Sequence, residues 1–490
     1  METINTTRSL CPVCLKPLPA KLVLRENKVY MQKSCTSHGD FEDLYYGDAA
    51  LYKHIMEEYS LNKGEPSNSE LKLDISLPVR GYSTKSTPVI GIIDVTNRCN
   101  LQCIVCFAGC SSAPTLYEPT FEEIGEMMDT LRASEPPCPI VLFSGGEPTI
   151  RKDFFEICTL AHEKGFSFII VATNGKMLAA QEDYYEKLSR SHVDIIYLQF
   201  DGLTADPYLA IRGTDLLPIK LKAIQNMKNS STAYPNVVLV PTVIKGVNDH
   251  QIGDIVKYAA ENISKIRGIL FQPIGYVGDV NDERLLNGRI TNAECLEQIE
   301  KSFNGKITKK DFVPLAWIRD FLDAYKRIYP EAKTINITTH PGCFSIAYLI
   351  KHNNELIPLS RIFDLDKLRS FIRNLEPGSR SEMVTKFTLV LPALIKKDGI
   401  KFSGKLLSVI KDLFLMGAEE AIIRFHTENV LLVGFEHAID ANNYDCDKVE
   451  NCCIHYSTPE NDTIPFCAYN LLHRNRIEEK FGNDKSGKNG

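Results

Sequence analysis

From Pro88 to about residue 305 the chain alternates between short apolar runs and longer amphipathic stretches. The runs are GIIDVT (91–96), PIVLFS (139–144), FSFIIVAT (166–173), DIIYLQF (194–200), VVLVPTV (237–243) and GILFQPI (268–274). Each is rich in β-branched residues and too short for a helix, as a buried parallel strand is. Between them FEEIGEMMDTLR (121–132), FFEICTLAHEKG (154–165) and IGDIVKYAAENI (252–263) repeat apolar residues at helical spacing. Six strand–helix units in series predict an α/β fold, a parallel sheet curled into a partial, TIM-like (β/α)6 barrel. In that architecture chemistry gathers at the C-terminal ends of the strands. Polar motifs do follow the runs: NRC after the first, GGEP after the second, NG after the third and DG after the fourth.

The flanks are patterned differently. Residues 1–60 carry a compact Cys/His pattern with short polar turns, and 61–87 are polar with scattered Pro and Gly, a linker. The barrel occupies 88–305. Beyond it the alternation fades into helical stretches at 315–328 and 365–376, and a mixed, cysteine-rich C-terminal domain fills 306–490, ending in a frayed GNDKSGKNG tail. A net charge of −6 leaves no basic excess to neutralise phosphates, so no nucleic-acid partner is expected. No apolar run reaches the ~18–20 residues of a membrane span. The N-terminus, METINTTRSL, has no signal-peptide core, and a cytoplasmic location is expected.

Composition changes the picture through cysteine. Fifteen thiols are many for a reducing compartment, where clustered cysteines point to metal rather than disulfides. Cys138, Cys158 and Cys295 stand alone and read as small apolar residues. Cys99, Cys103 and Cys106, in DVTNRCNLQCIVCFAGC, directly follow the first strand. Three thiolates on one loop hold three corners of a cubane and leave the fourth iron open. An open position is what a reactive metal site needs. The alternative is a closed structural zinc or redox cluster, with Cys110 as the fourth ligand.

The Cys-x3-Cys-x2-Cys spacing resembles the signature of the radical S-adenosylmethionine (SAM) superfamily. That resemblance implies a [4Fe–4S] cluster on the triad, SAM on its open iron, and reductive cleavage of SAM to a 5′-deoxyadenosyl radical. It also implies a low-potential electron donor of ferredoxin or flavodoxin type. Gly145, Gly146 and Glu147 match the family's GGE motif, in which glycines allow close backbone approach and the carboxylate is placed to pair with the methionyl ammonium. By position, Asn174 after the third strand and Gln199 with Asp201 after the fourth match polar SAM contacts, the alternative being turn or cap residues. Val240 and Thr242 on the fifth strand are candidates for an adenine wall.

Two further constellations stand outside the barrel. Cys11, Cys14, Cys35 and His38 form Cys-x2-Cys and Cys-x2-His pairs either side of a strand–turn–strand pattern, KLVLREN and KVYMQK. This zinc-ribbon-like arrangement is expected to hold zinc, or mononuclear iron, in a structural role. Cys343, Cys446, Cys452 and Cys467 are the preferred ligands of an auxiliary Fe–S cluster, with a second zinc site or a metal-free thiol core as alternatives.

The succession CPVC, CTSHG, the triad, FSGGEPTIRKD, ATNG, YLQFDG, VLVPTVIKGVND, FQPI, HPGC, CCIHY and IPFCAYN resembles, along nearly the whole chain, the archaeal radical SAM family of the tetraether lipid synthases. Members also carry the name 7,8-dihydro-6-hydroxymethylpterin dimethyltransferase. The resemblance implies carbon–carbon bond formation at unactivated carbons, first on a lipid substrate with peripheral membrane contact, alternatively methylation of a small-molecule pterin. The family's CPxDCGLC segment is missing, since residues 60–98 contain no cysteine, so the auxiliary cluster it carries is expected to be absent. A lipid channel would draw on Phe387–Ile395 and on Leu406, Val409, Ile410, Leu413 and Phe414, which read equally as helix packing. A pterin's amidine-like edge would call for a strand-end carboxylate or amide, with Asp201 and Asn248 as candidates. A non-catalytic Fe–S electron carrier is the alternative of another class.

Overall fold

The computed structural model describes residues 2–60, 84–229, 234–331, 335–376, 378–397, 399 and 430–484. Most of the linker expected over 61–87, the stripe from Leu406 to Phe414 and the tail past 484 lie outside these residues.

Four antiparallel strands open the chain: β1 (Glu2–Leu10), β2 (Pro17–Arg25), β3 (Lys28–Cys35) and β4 (Gly39–Tyr46), paired in that order. The turn between β2 and β3 places Glu26 and Asn27 at φ +50° and +57°, the left-handed pair a two-residue hairpin requires. Helix α1 (Ala49–Tyr59) follows, started by the Asp48 carboxylate, which accepts from the Leu51 N–H at 2.9 Å.

The six predicted barrel strands form within two residues of their expected ends, apart from a break at Pro241. They are β5 (Ile90–Thr96), β6 (Ile140–Gly145), β7 (Phe168–Thr173), β8 (Ile195–Gln199), β9 (Asn236–Val240) and β10 (Ile266–Pro273). They lie side by side in chain order, all parallel. Helices α2 (Phe121–Arg132) and α3 (Phe154–Glu163) follow the first and second strands, two short helices (Lys176–Ala180 and Tyr184–Arg190) the third, α4 (Ala205–Arg212) and α5 (Leu217–Asn226) the fourth, and α6 (Ile252–Glu261) the fifth. A capping box between Thr120 and Glu123 starts α2 at its predicted first residue. On each strand one face is sealed in the main core, as with Val141 and Phe143, Ile196 and Leu198, or Ile269 and Phe271, each at most 1% exposed. The alternate residues, among them Leu142, Ala172, Tyr197, Val238 and Leu270, are only half-buried and line the lumen.

The chain beyond 305 adds strands to both edges of this sheet. On one side β12 (Val430–Glu436) pairs parallel with β10, and β11 (Phe344–His352) pairs antiparallel with β12. On the other, β13 (Ile454–Thr458) pairs parallel with β5 and β14 (Asp462–Pro465) antiparallel with β13. The two edges meet: Thr339 Oγ1 lies 2.8 Å from Cys453 Sγ, and Thr338 Oγ1 donates to the Asn451 carbonyl at 3.1 Å. Helix α7 (Arg474–Phe481) then returns to β5, where Arg474 pairs with buried Asp94 at 2.6 Å.

The N-terminal sheet packs on the segment before β13. Thr7 Oγ1 and the Tyr45 hydroxyl both donate to Asp445, and Lys33 Nζ donates to the Ala441 carbonyl at 2.7 Å. Among the described residues no helix is long and apolar enough to cross a membrane. Phe387 packs against Phe371 beside Met383 and Ile372, and Leu391 and Leu394 join Ile362 and Phe363, so these members of the Phe387–Ile395 run serve as local packing, while Leu389 is exposed.

Candidate active site and metal centres

The triad loop leaves β5 at Thr96, and the GGE loop leaves β6 beside it. Gly146 N–H donates to the Thr96 carbonyl at 2.7 Å and Glu147 N–H to the Arg98 carbonyl at 2.8 Å. A Cβ on Gly145, whose φ is +127°, would run into the Thr96 carbonyl oxygen, and one on Gly146 into that of Arg98. The glycines thus let the second strand end lie directly against the backbone that leads to Cys99.

Cys99, Cys103 and Cys106 are half-buried and near enough for each thiol to feel the others. Burial pushes Cys99 up to about 12 and raises Cys103, an effect that Arg212 beside Cys103 opposes. Iron binding must therefore displace protons, and metal loading is coupled to pH. Cys110 lies against Cys106, both its thiol and its backbone N–H within hydrogen-bonding reach.

Glu147 is 1% exposed and turned inward. Its Oε1 accepts from Thr173 Oγ1 at 2.7 Å, the Thr149 N–H at 3.2 Å and the Thr149 hydroxyl, while Oε2 accepts from the Asn174 N–H at 2.7 Å. The carboxylate thereby ties the second strand end to the third. Asn174 Nδ2 donates to Asn100 Oδ1 at 2.7 Å and Lys176 Nζ to the Asn100 carbonyl at 2.9 Å, so the third strand end holds the residue after Cys99.

The fourth strand end is organised around Asp201, fully buried. Arg212, at the last turn of α4, donates to both its oxygens at 2.8 and 2.9 Å, to the Val105 carbonyl at 3.0 Å and to Thr242 Oγ1 at 2.9 Å. One guanidinium thus joins strand ends β8 and β9 to the loop between Cys103 and Cys106. Gln199 donates to Asp201 and accepts from Lys220 Nζ at 2.8 Å; Lys220 also donates to the Asn174 carbonyl at 2.5 Å. Burial brings Lys220 down to about 7. Val240 is half-buried toward the lumen.

Sequence reading missed Arg212 and Lys220. Arg212 sits in an ordinary helix end before Gly213. Lys220 carried a usable signal: it lies in helical phase with Leu216, Ala223, Ile224 and Met227, a core-facing position where a charge needs a reason.

In the N-terminal sheet Cys11, Cys14, Cys35 and His38 bring their ligand atoms within 4.8 Å of one another. His38 Nδ1 is 3.5 Å from both Cys11 and Cys35 Sγ, and Cys14 and Cys35 Sγ are 3.9 Å apart. A tetrahedral zinc ion with ordinary bond lengths spaces S–N pairs by about 3.5 Å and S–S pairs by about 3.8 Å. The donor set therefore converges at the spacing of one such ion.

At the closing seam, Cys343, Cys452 and Cys467 influence one another's thiols. The preferred fourth ligand, Cys446, is set instead among Asp445, Arg8 and Glu450. Near this group stand two buried donors with no hydrogen-bond acceptor, Lys448 Nζ and His437 Nδ1. Cys138, Cys158 and Cys295 are fully buried in the main core, as small apolar residues.

Residues 93–259 match the radical SAM superfamily, and residues 3–47 match the HMPTM N-terminal zinc ribbon domain. The chain is 39% identical, over 97% of its length and 95% of the relative's, to a 7,8-dihydro-6-hydroxymethylpterin dimethyltransferase of Methanocaldococcus jannaschii. The chain belongs to the radical SAM superfamily. This radical SAM enzyme is also similar, at 30% identity over 36% of its length, to a probable GTP 3′,8-cyclase of Methanothermobacter thermautotrophicus, of which it spans 55%. A crystal structure of Streptococcus suis SuiB bound to S-adenosylmethionine is 17% identical over 45% of this chain and 48% of that one, with a TM-score of 0.37. Membership sets aside the closed structural cluster and the non-catalytic electron carrier. It gives the enzyme a [4Fe–4S] cluster, SAM and a need for a reductant.

Proposed function

We propose that this radical SAM enzyme is a methyltransferase acting on a dihydropterin. The observation that carries the reading is the near end-to-end similarity to the pterin dimethyltransferase, zinc ribbon included. It displaces the lipid-joining reaction as the first reading, because Phe387, Leu391 and Leu394, in the described part of the proposed channel, serve as local packing.

The cluster and SAM, when bound, supply a 5′-deoxyadenosyl radical that takes hydrogen from an unactivated carbon. The chain's part is to hold and orient. Cys99, Cys103 and Cys106 hold the cluster, and Gly145 and Gly146 clear the space beside it. Glu147 acts as a brace between strand ends rather than as a free carboxylate for the methionyl ammonium, since its hydrogen bonds run to Thr149, Thr173 and Asn174. Asn174 and Gln199, fixed by Lys220, present a preorganised polar rim to SAM, with Asp201 buried behind them as the anchor of Arg212. The N-terminal site holds zinc. Cys343, Cys452 and Cys467 hold an auxiliary Fe–S cluster.

Cluster-loaded enzyme, reduced anaerobically with SAM and 7,8-dihydro-6-hydroxymethylpterin, is expected to give 5′-deoxyadenosine together with methylated pterin. 5′-Deoxyadenosine without any methylated pterin, from protein that joins lipid tails under the same conditions, would overturn the reading.

A further inference from the structure

Among the described residues, Glu436 is the barrel-strand carboxylate with an oxygen that takes no hydrogen bond and is still open to solvent, whereas the unengaged oxygen of Asp94 is sealed in the core. Among the described residues, Glu147 and Asp201 are tied up as above, and Asp94 is paired with Arg474. Asn248, the other candidate for a pterin edge, donates to the Asp201 and Thr242 carbonyls at 2.8 and 2.7 Å and accepts from the Ile244 N–H at 2.9 Å. Glu436 differs. It ends β12, is 9% exposed, and has a single hydrogen bond, from Gln272 Nε2 to its Oε2 at 3.2 Å. Its Oε1 accepts none among the described residues.

Its direction follows from the strand pattern. Leu431, Val433 and Phe435 fill the outer core, so Leu432, Gly434 and Glu436 face the lumen, as Gln272 does on β10. Glu436 also acts electrostatically on Tyr197, with β10 and β9 standing between their strands, and on Tyr456, on the far side of the closing seam. Such reach across non-adjacent strands places the carboxylate toward the lumen. Because β12 runs parallel to β10 and β5, it stands at the same C-terminal rim as the triad.

Resting on the pterin reading above, we propose that Glu436, braced by Gln272, is the specificity residue that reads the amidine-like edge of the ring. A carboxylate accepting in parallel from the 2-amino group and the adjacent ring N–H is a charge-assisted, two-point contact that fixes a flat ring's orientation. On the lumen side of the same two strands Gly434 and half-buried Leu270 occupy the next positions below Glu436 and Gln272, an apolar step beside the carboxylate on which a planar ring displaces water. The free oxygen is open to solvent, so an incoming donor pair can take it without displacing a contact of the scaffold.

The test compares dissociation constants of SAM-loaded enzyme for 6-hydroxymethylpterin and for 6-hydroxymethyl-lumazine, where oxygen replaces the 2-amino group. Wild type is expected to prefer the pterin by roughly 10- to 100-fold, the range of hydrogen bonds to a charged group. Glu436→Gln is expected to erase that preference, and Glu436→Asp to retain part of it. A wild type that binds the pterin but does not discriminate, or an E436Q enzyme that discriminates equally, overturns this inference and leaves the pterin reading standing. A wild type that binds neither compound overturns the pterin reading and this inference with it. Should E436Q melt well below wild type by circular dichroism, the wild-type preference alone decides.

Discussion

Lys220 shows how a single residue organises this rim. Its ammonium is fully buried and donates to the Asn174 carbonyl and to Gln199 Oε1, so it couples the third strand end to the fourth. Burial brings it from 10.5 to about 7. Between those values the unfolded chain holds the proton that the folded one has released, so this group makes stability rise with pH over that window and adds no slope below it. Lys220→Met should flatten the rise between pH 7 and 9, read as the difference in urea midpoints from wild type. Glu147 makes the opposite demand, because four donors converge on its two oxygens. Glu147→Gln turns one acceptor into a donor facing donors. It should cost about 1–3 kcal/mol in chemical denaturation, and 5′-deoxyadenosine formation should slow at least tenfold as Asn174 loosens.

At the level of elements, the barrel strands were legible because burial on both sides writes itself as unbroken β-branched runs. Helix α2 was legible to the residue because Thr120 and Glu123 cap it. What could not be read is pairing between distant parts of the chain. β13 is an ordinary short run, HYST, and nothing in it announces β5 as its partner some 360 residues away. Glu436 and Gln272 were equally silent, since their meeting depends on β12 docking beside β10. β1 escaped because its middle, NTTRS, is polar and its burial comes from other elements. The added edge strand is held by Arg474, which ties α7 and β13 to β5: it pairs with Asp94 and Glu478 and lies over the rings of Tyr456 and Tyr469. Removing it strands a buried Asp94 carboxylate. Arg474→Met should therefore cost about 3–5 kcal/mol, and adding Asp94→Leu should return part of the loss in a double-mutant cycle.

Across the whole molecule, the three cysteine groups are mechanically linked. The N-terminal sheet reaches the segment of the C-terminal thiols through Thr7, Tyr45 and Lys33, and those thiols sit by the seam where the two edges of the barrel sheet meet. Cys14→Ser should lower bound zinc by one equivalent by metal analysis while the iron on the triad persists. Limited proteolysis before residue 60 should speed up severalfold, with only a modest fall in 5′-deoxyadenosine formation.

The pairing of β13 with β5 has a further consequence, for biogenesis. The partner of the first barrel strand emerges from the ribosome some 360 residues after it, so until then the sheet that carries the triad loop has an open edge. Until β13 and Arg474 arrive, this pairing leaves uncovered the edge of the strand that leads to Cys99, Cys103 and Cys106.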